Sequence, residues 1–167
     1  MQTKTPRKIL DHQTAKRKLY NENLFLLEIS QKLDETGIRM KLFTNHLNTT
    51  SLPHTHSMLK TVLPSVLGSK CFNEKNLSFT EEVKATEIGH LFEHILLEYL
   101  TKLKKFYQGK SVSFSGTTSW DWTKDKHGVF NIVVSAGTKD AKIFEEALSL
   151  ATQLLNRIIR AHVEKTN

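Results

Sequence analysis

The sequence predicts an α+β domain in which a small antiparallel β-sheet packs against a central helix and a long C-terminal helix. Apolar residues recur at helical spacing in two long segments, 86–105 and 139–163. Short apolar runs or strict apolar–polar alternation, which are typical of strands, occur in four others: 23–30, 38–43, 112–115 and 129–134. The 167 residues are enough for one domain with a buried core.

The amino-terminal segment is basic and polar. Residues 1–18 contain six lysines and arginines but only one acidic residue, Asp11, so most of the net charge of +7 lies there. We predict that residues 1–20 form a flexible arm and that residues 21–167 form a single α+β domain. The alternative, in which the arm binds nucleic acid or another polyanion, is disfavoured because no aromatic-rich binding surface accompanies it.

The remaining elements follow in order. Pro53 suits the first turn of a helix that ends at Gly68, and Gly109 ends the central helix. Segments 112–115 and 129–134 are expected to pair as a hairpin with a long connection. The core stripe of the last helix is predicted to be Phe144, Ala147, Leu148, Ala151, Leu154, Leu155, Ile158 and Ile159.

The residues that could bind a metal ion or accept a proton are concentrated on the central helix. A second stripe beside its apolar face carries Glu87, His90, His94 and Glu98, with Glu93 on the flank. Histidines at i and i+4 can direct their rings at one ion, and His-x-x-Glu-His is known as a zinc-hydrolase arrangement.

A zinc ion held by this stripe would have a defined chemistry. With Glu98 as third ligand the fourth position would hold water, whose pKa would fall to about 7, and Glu93 would accept its proton. The residues leave open whether Glu87 replaces Glu98, and whether the stripe is only a solvated face.

Two tryptophans, Trp120 and Trp122, lie in the connection between the last two strands. With Thr117 they are our candidates for substrate binding, and packing over the core is the alternative for the tryptophans.

Other classes of protein lack support in the sequence. There is no run of eighteen apolar residues and no secretory h-region. The single cysteine, Cys71, excludes an intrachain disulfide and favours a reducing compartment, so we expect a cytoplasmic protein. No P-loop, dinucleotide-binding glycine pattern, nucleophile elbow or Cys-x-x-Cys pattern is present.

Three stretches together resemble the N-terminal domain of cyanophycin synthetases. In that family a Gly-His-x-x-Glu-His-x-x-x-Glu helix precedes a Phe-Gly-Arg-Thr-Arg-type strand and a Gly-Val-Tyr-Asn-Val-Val-type strand. The corresponding stretches here are Thr86-Glu-Ile-Gly-His-Leu-Phe-Glu-His-Ile-Leu-Leu-Glu98, Val112-Ser-Phe-Ser-Gly-Thr-Thr118 and Gly128-Val-Phe-Asn-Ile-Val-Val134. The likeness extends over about residues 20–160.

The resemblance implies an α+β fold, binding of an Asp-Arg polymer in some members and its internal hydrolysis by a zinc-dependent peptidase site in others. Carried over, His90 and His94 become zinc ligands, Glu98 the third ligand and Glu93 the general base. The ATP-grasp and Mur-ligase-like domains of the synthetases are not in this sequence, so we expect a stand-alone domain that does not synthesise the polymer. Both arginines of the family strand are replaced, and Ser135-Ala136-Gly137 stands where acidic residues are expected.

We therefore predict a zinc-dependent hydrolase (metallopeptidase) of peptide or amide bonds, acting on a cyanophycin-like or other peptide polymer. The alternative is a non-catalytic polymer- or peptide-binding module derived from the same domain. Homo-oligomerisation is left open, no membrane partner is expected, and nucleic acid is a minor alternative that rests on the basic arm alone.

Overall fold

In the part of the chain that the structure describes, five antiparallel strands form one sheet in the order β1-β2-β3-β5-β4. The strands are β1 (Lys16–Asn21), β2 (Phe25–Gln31), β3 (Thr36–Leu42), β4 (Gly116–Ser119) and β5 (Val129–Val134). The computed structural model describes residues 16–21, 23–72 and 77–163. The predicted α+β class is confirmed.

The alternation of apolar and polar residues builds one buried face of the sheet. Leu27 pairs with Met40, which pairs with Phe130 on its other side, and all three side chains are buried. Because residues opposite each other point to the same face, each such row adds a line of apolar side chains to the core. The parallel row is Ile29, Ile38 and Ile132.

The helices are α1 (Thr55–Val62), α2 (Phe79–Glu82), α3 (Ile88–Gln108) and α4 (Ala141–Val163). Short 3-10 turns at Thr49–Ser51, Pro64–Gly68 and Thr138–Asp140 connect them to neighbouring segments. Helix α3 ends as predicted at Gly109, whose φ of 65° is in the left-handed region that glycine adopts without strain. Every residue of the core stripe predicted for α4 is buried.

Strand β1 is an element that the sequence analysis did not predict. Residues 16–20 belong to the predicted arm, yet all of β1 pairs with β2, from Lys16 opposite Gln31 to Asn21 opposite Leu26. Strand β1 lies at the edge of the sheet, where lysines are favoured. Its charged residues therefore hide the apolar pattern from which a strand is predicted. The rest of the predicted arm, residues 1–15, lies outside the described residues.

The strand predicted at 112–115 is displaced by four residues. Phe114 alone of that segment is buried, and the ladder with β5 begins at Gly116 opposite Val134. Phe114 thus packs into the core just before the strand begins, whereas the residues that pair with β5 are the small polar ones that follow it. The predicted antiparallel pairing of the last two strands is confirmed.

Helix α3 lies against β4, β5 and α4, which places its first three turns inside the molecule. Within the described residues, no helix is both long and apolar enough to cross a lipid bilayer.

Candidate metal centre

His90 and His94 lie one turn apart on α3 and their rings converge. The two Nε2 atoms are 3.1 Å apart, and the rings meet edge to face with centroids 4.8 Å apart. Gly89 allows this turn of the helix to approach β5 closely, because a Cβ there would stand 2.4 Å from Cγ of Phe130. The predicted juxtaposition of the two histidines is therefore present.

Cys71 joins this pair from a segment outside the helix. Its Sγ lies 3.4 Å from His90 Nε2, and the donor atoms of Cys71, His90 and His94 all lie within 4.8 Å of one another. Cys71 is buried and is not part of a disulfide. An isolated bridge between Lys70 and Ser78 holds its segment next to the start of α2. We name these three residues the Cys/His/His cluster.

Hydroxyl groups hold the far nitrogen of each ring. Ser69 Oγ donates to the carbonyl of Val66 at 2.7 Å, so its contact of 3.0 Å with Nδ1 of His94 must be one in which the ring N–H donates. His94 therefore presents an Nε2 lone pair to the cluster, an assignment that follows from the hydrogen-bond partners. Thr86 Oγ1 lies 2.8 Å from Nδ1 of His90. Such partners fix the ring orientation of metal-binding histidines.

The surroundings of the cluster favour neutral imidazoles. Phe79 stacks on His94 with ring centroids 3.9 Å apart, and His94 is 6% exposed. Burial, followed by the neighbouring His90, lowers the pKa of His94 to about 3. Burial also lowers the pKa of His90, against the opposing charges of Glu82 and Glu87. Near pH 7 both rings are in the form that binds a metal ion.

Glu93 lies on the adjacent face of α3, against β4. Its side chain is buried, and the Thr118 hydroxyl donates to Oε2. Gly116 makes room for the carboxylate, since a Cβ there would stand 2.9 Å from Oε1. Burial raises the pKa of Glu93, and the Thr118 bond partly opposes that rise. A buried carboxylate with a raised pKa suits a proton acceptor near neutral pH.

Glu98, predicted as the third ligand, does not join the Cys/His/His cluster. Its carboxylate lies 3.9 Å from the ammonium of Lys102, one turn further along α3. Glu87, the alternative ligand, immediately precedes α3, and its backbone bridges to Asn48. Among the described residues the structure brings neither carboxylate to the two histidines.

The predicted substrate-binding residues lie around the hairpin of β4 and β5. Trp122 donates its Nε1–H to the carbonyl of Val129 at 3.0 Å and packs edge to face on Phe130. Trp120 also contacts Phe130 but is 39% exposed. Trp122 therefore packs over the core, which is the alternative to substrate binding given for the tryptophans above. Thr117 is exposed on β4 and lines a groove of about 520 Å³.

Sequence reasoning missed the hydroxyl groups and the thiol of this site. Thr86 could have been found, because it precedes His90 by one helical turn and lies on the same stripe. Cys71 and Ser69 come from a loop about twenty residues upstream, and no spacing rule relates them to the helix.

Comparison with known proteins identifies the family of this chain. A search of curated proteins found no match to the chain. The family model for the cyanophycin synthase-like N-terminal domain matches residues 37–160, which begin in β3 and end within α4. That match spans most of the 167 residues. The chain belongs to the family of cyanophycin synthase-like N-terminal domains.

Proposed function

We propose that this domain is a zinc-dependent hydrolase of peptide or amide bonds, with His90 and His94 as metal ligands and Glu93 as the general base. One observation carries the proposal: the Nε2 atoms of the histidines converge at 3.1 Å, and hydroxyl groups hold the Nδ1 end of each ring. Nitrogen and sulfur donors are the chemistry that zinc prefers, so the residues present fit this metal.

The chain's own groups have distinct roles in this proposal. Zinc, when bound, supplies Lewis acidity, which lowers the pKa of water and polarises a carbonyl group. Glu93 follows His90 by three residues, so the two side chains leave the helix about 60° apart around its axis. The Thr118 hydroxyl holds the Glu93 carboxylate on the β4 side, where it can accept a proton.

The groove beside β4 is our candidate for the substrate path. It is lined by Gly116 and Thr117, and Gly116 lies directly over the Glu93 carboxylate. An extended peptide could pair with the edge strand β4 at this position.

The charges around this groove bear on the substrate. Asp34 and Glu35 also line it, but Lys139 pairs with Asp34 at 2.7 Å and Lys32 with Glu35 at 2.6 Å. The two lysines offset part of the negative charge of the groove, so we expect it to favour a peptide backbone over an arginine-rich polymer such as cyanophycin.

One observation favours the alternative, a non-catalytic polymer- or peptide-binding module. The Glu93 carboxylate is bonded to Thr118 and packed under Gly116, so it also links α3 to β4. In that case the groove would bind a peptide chain and leave it intact.

The test compares metal content and hydrolysis in three variants. We expect about one zinc per chain in the wild type and none in His90→Ala/His94→Ala. Glu93→Gln keeps an acceptor for Thr118, so it should retain zinc but lose at least ~100-fold in hydrolysis of cyanophycin or of an unstructured peptide library read by mass spectrometry. Glu98→Gln is the matched control and should retain both properties.

The possible outcomes separate the two functions. Undiminished hydrolysis in zinc-loaded Glu93→Gln would remove Glu93 from the role of base. A zinc-loaded wild type that cleaves no substrate but binds cyanophycin or a peptide from the library would favour the binding module.

A further inference from the structure

We infer that Cys71 is a metal ligand of this domain and that its thiolate completes a Cys/His/His set with His90 and His94. This inference rests on the metal-binding half of the proposed function and is independent of hydrolysis.

Two of the three donor–donor distances are close to those that a tetrahedral zinc ion imposes. Zinc bonds of about 2.0–2.1 Å to nitrogen and 2.3 Å to sulfur, at tetrahedral angles, separate two nitrogens by about 3.3 Å and a nitrogen from a sulfur by about 3.6 Å. The structure has 3.1 Å between the two Nε2 atoms and 3.4 Å between Cys71 Sγ and His90 Nε2. All three donor atoms lie within 4.8 Å of one another, so side-chain adjustments would bring them around one ion.

The orientation of His94 provides a second, independent observation. Its ring is 6% exposed, and its Nδ1–H is committed to Ser69, so the Nε2 lone pair points into the cluster. In the metal-free protein an Nε2–H of His90, 3.1 Å away, can donate to this lone pair, and a bound cation would take the place of that proton. A cation satisfies all three donor atoms at once.

Glu98 is a poorer candidate than Cys71 for the third position. It pairs with Lys102 on the same helix, and reaching the histidines would require it to leave that cation. Cys71 already lies beside His90, and its neighbours in the chain are held in place: Ser69 contacts His94, and Lys70 forms a backbone bridge with Ser78.

A thiolate ligand has consequences for metal choice. Sulfur is a soft donor, so the set favours zinc and cobalt over magnesium or calcium, which prefer oxygen. Three protein ligands also leave the fourth tetrahedral position for water or substrate.

The test uses cobalt as a spectroscopic substitute for zinc. We expect apo protein titrated with CoCl₂ to develop an intense near-ultraviolet thiolate-to-cobalt charge-transfer band together with the visible bands of tetrahedral cobalt. Cys71→Ser should lose the charge-transfer band, and its zinc affinity, measured against a competing chelator, should fall more than the ~10–100-fold that loss of a hydrogen-bond partner of a ligand costs. Glu98→Gln should keep both.

A second measurement applies if Cys71→Ser does not fold. Cys71 is the chain's one cysteine, so all thiol reactivity in the wild type belongs to it. Zinc should slow its alkylation by iodoacetamide, in which the thiolate forms a bond to carbon and iodide leaves.

Other results would contradict one of the two proposals or both. Cobalt bound without a charge-transfer band, or metal lost in Glu98→Gln and kept in Cys71→Ser, would overturn the assignment to Cys71 while the proposed zinc enzyme survives. A charge-transfer band in a protein that hydrolyses no substrate would support the thiolate ligand and contradict the proposed hydrolase activity. Absence of metal binding overturns both.

Discussion

Gly89 decides how closely the first turn of α3 approaches the sheet. Any side chain there would overlap Phe130, with Cβ 2.4 Å from Cγ and 2.6 Å from Cδ1 of a fully buried ring. Since His90 is the next residue, the position of the metal centre depends on this contact.

We predict that Gly89→Ala destabilises the domain by about 1–2 kcal/mol. Alanine gains about 1 kcal/mol in helix propensity, but overpacking of a filled core costs more than that. Urea denaturation measures the effect, and zinc affinity should fall as well. Gly68→Ala, where no atom lies within 4 Å of the added Cβ, is the control and should leave both values nearly unchanged.

The buried histidines should make the metal-free protein sensitive to acid. The pKa of His94 falls from 6.5 in the unfolded chain to about 3 in the folded protein, so below pH 6.5 the unfolded state binds more protons. The contribution of such a histidine to the free energy of unfolding is therefore complete above pH 6.5. It declines towards pH 3 by about 1.4 kcal/mol per pH unit.

Glu93 acts in the opposite direction, because its raised pKa lets the folded state hold a proton above pH 4.5. His94→Phe keeps the stacking on Phe79 but cannot titrate, and Glu93 contributes equally in both proteins. With a chelator present, the slope of unfolding free energy against pH should be smaller in His94→Phe between pH 6.5 and 5. Equal slopes would mean that His94 is not buried in its neutral form.

At the scale of elements, a buried ion pair joins α3 to the start of α4. Lys104, near the end of α3, donates to the carboxylate of Asp140, and their side chains are 16% and 3% exposed. This contact holds the two core helices in register at the end remote from the metal centre.

Removing one partner should be costly, because the other charge remains in a largely buried site. We predict that Asp140→Ala lowers the free energy of unfolding by about 2–3 kcal/mol, less than for a fully buried pair because Lys104 retains some access to water. Thermal unfolding with circular dichroism measures the change. Asp34→Ala breaks the exposed pair with Lys139 and should remain close to wild type.

At the scale of the whole molecule, metal binding and folding are coupled. The cluster joins a loop residue, Cys71, to α3, so it forms only in the folded chain. Zinc should therefore stabilise the fold by about 2.7 kcal/mol when free zinc is one hundred times its dissociation constant.

Calorimetry with and without zinc tests this prediction. The melting temperature of the wild type should rise with zinc, and that of His90→Ala/His94→Ala should not. A similar rise in both proteins would show that zinc binds elsewhere.

What could be predicted depended on the range of the interaction. The helical period places His90 and His94 on one face wherever α3 lies, and the same period identifies the buried stripe of α4. The charged strand β1 could not be predicted, because its pairing with β2 is a property of the neighbour and not of its own composition. Nor could the four-residue displacement of β4, because Phe114 is buried just before the strand begins.

The sequence by itself determined the α+β class, the two long amphipathic helices and the histidine pair, because each depends on the local geometry of one chain segment. Only the tertiary structure decided which third side chain faces the histidines. Glu98 is close to them along the helix but lies beside Lys102, whereas Cys71 is nineteen residues from His90 in the chain and 3.4 Å from it in space. The packing of a loop against a helix depends on the whole core, so no local sequence pattern predicts it.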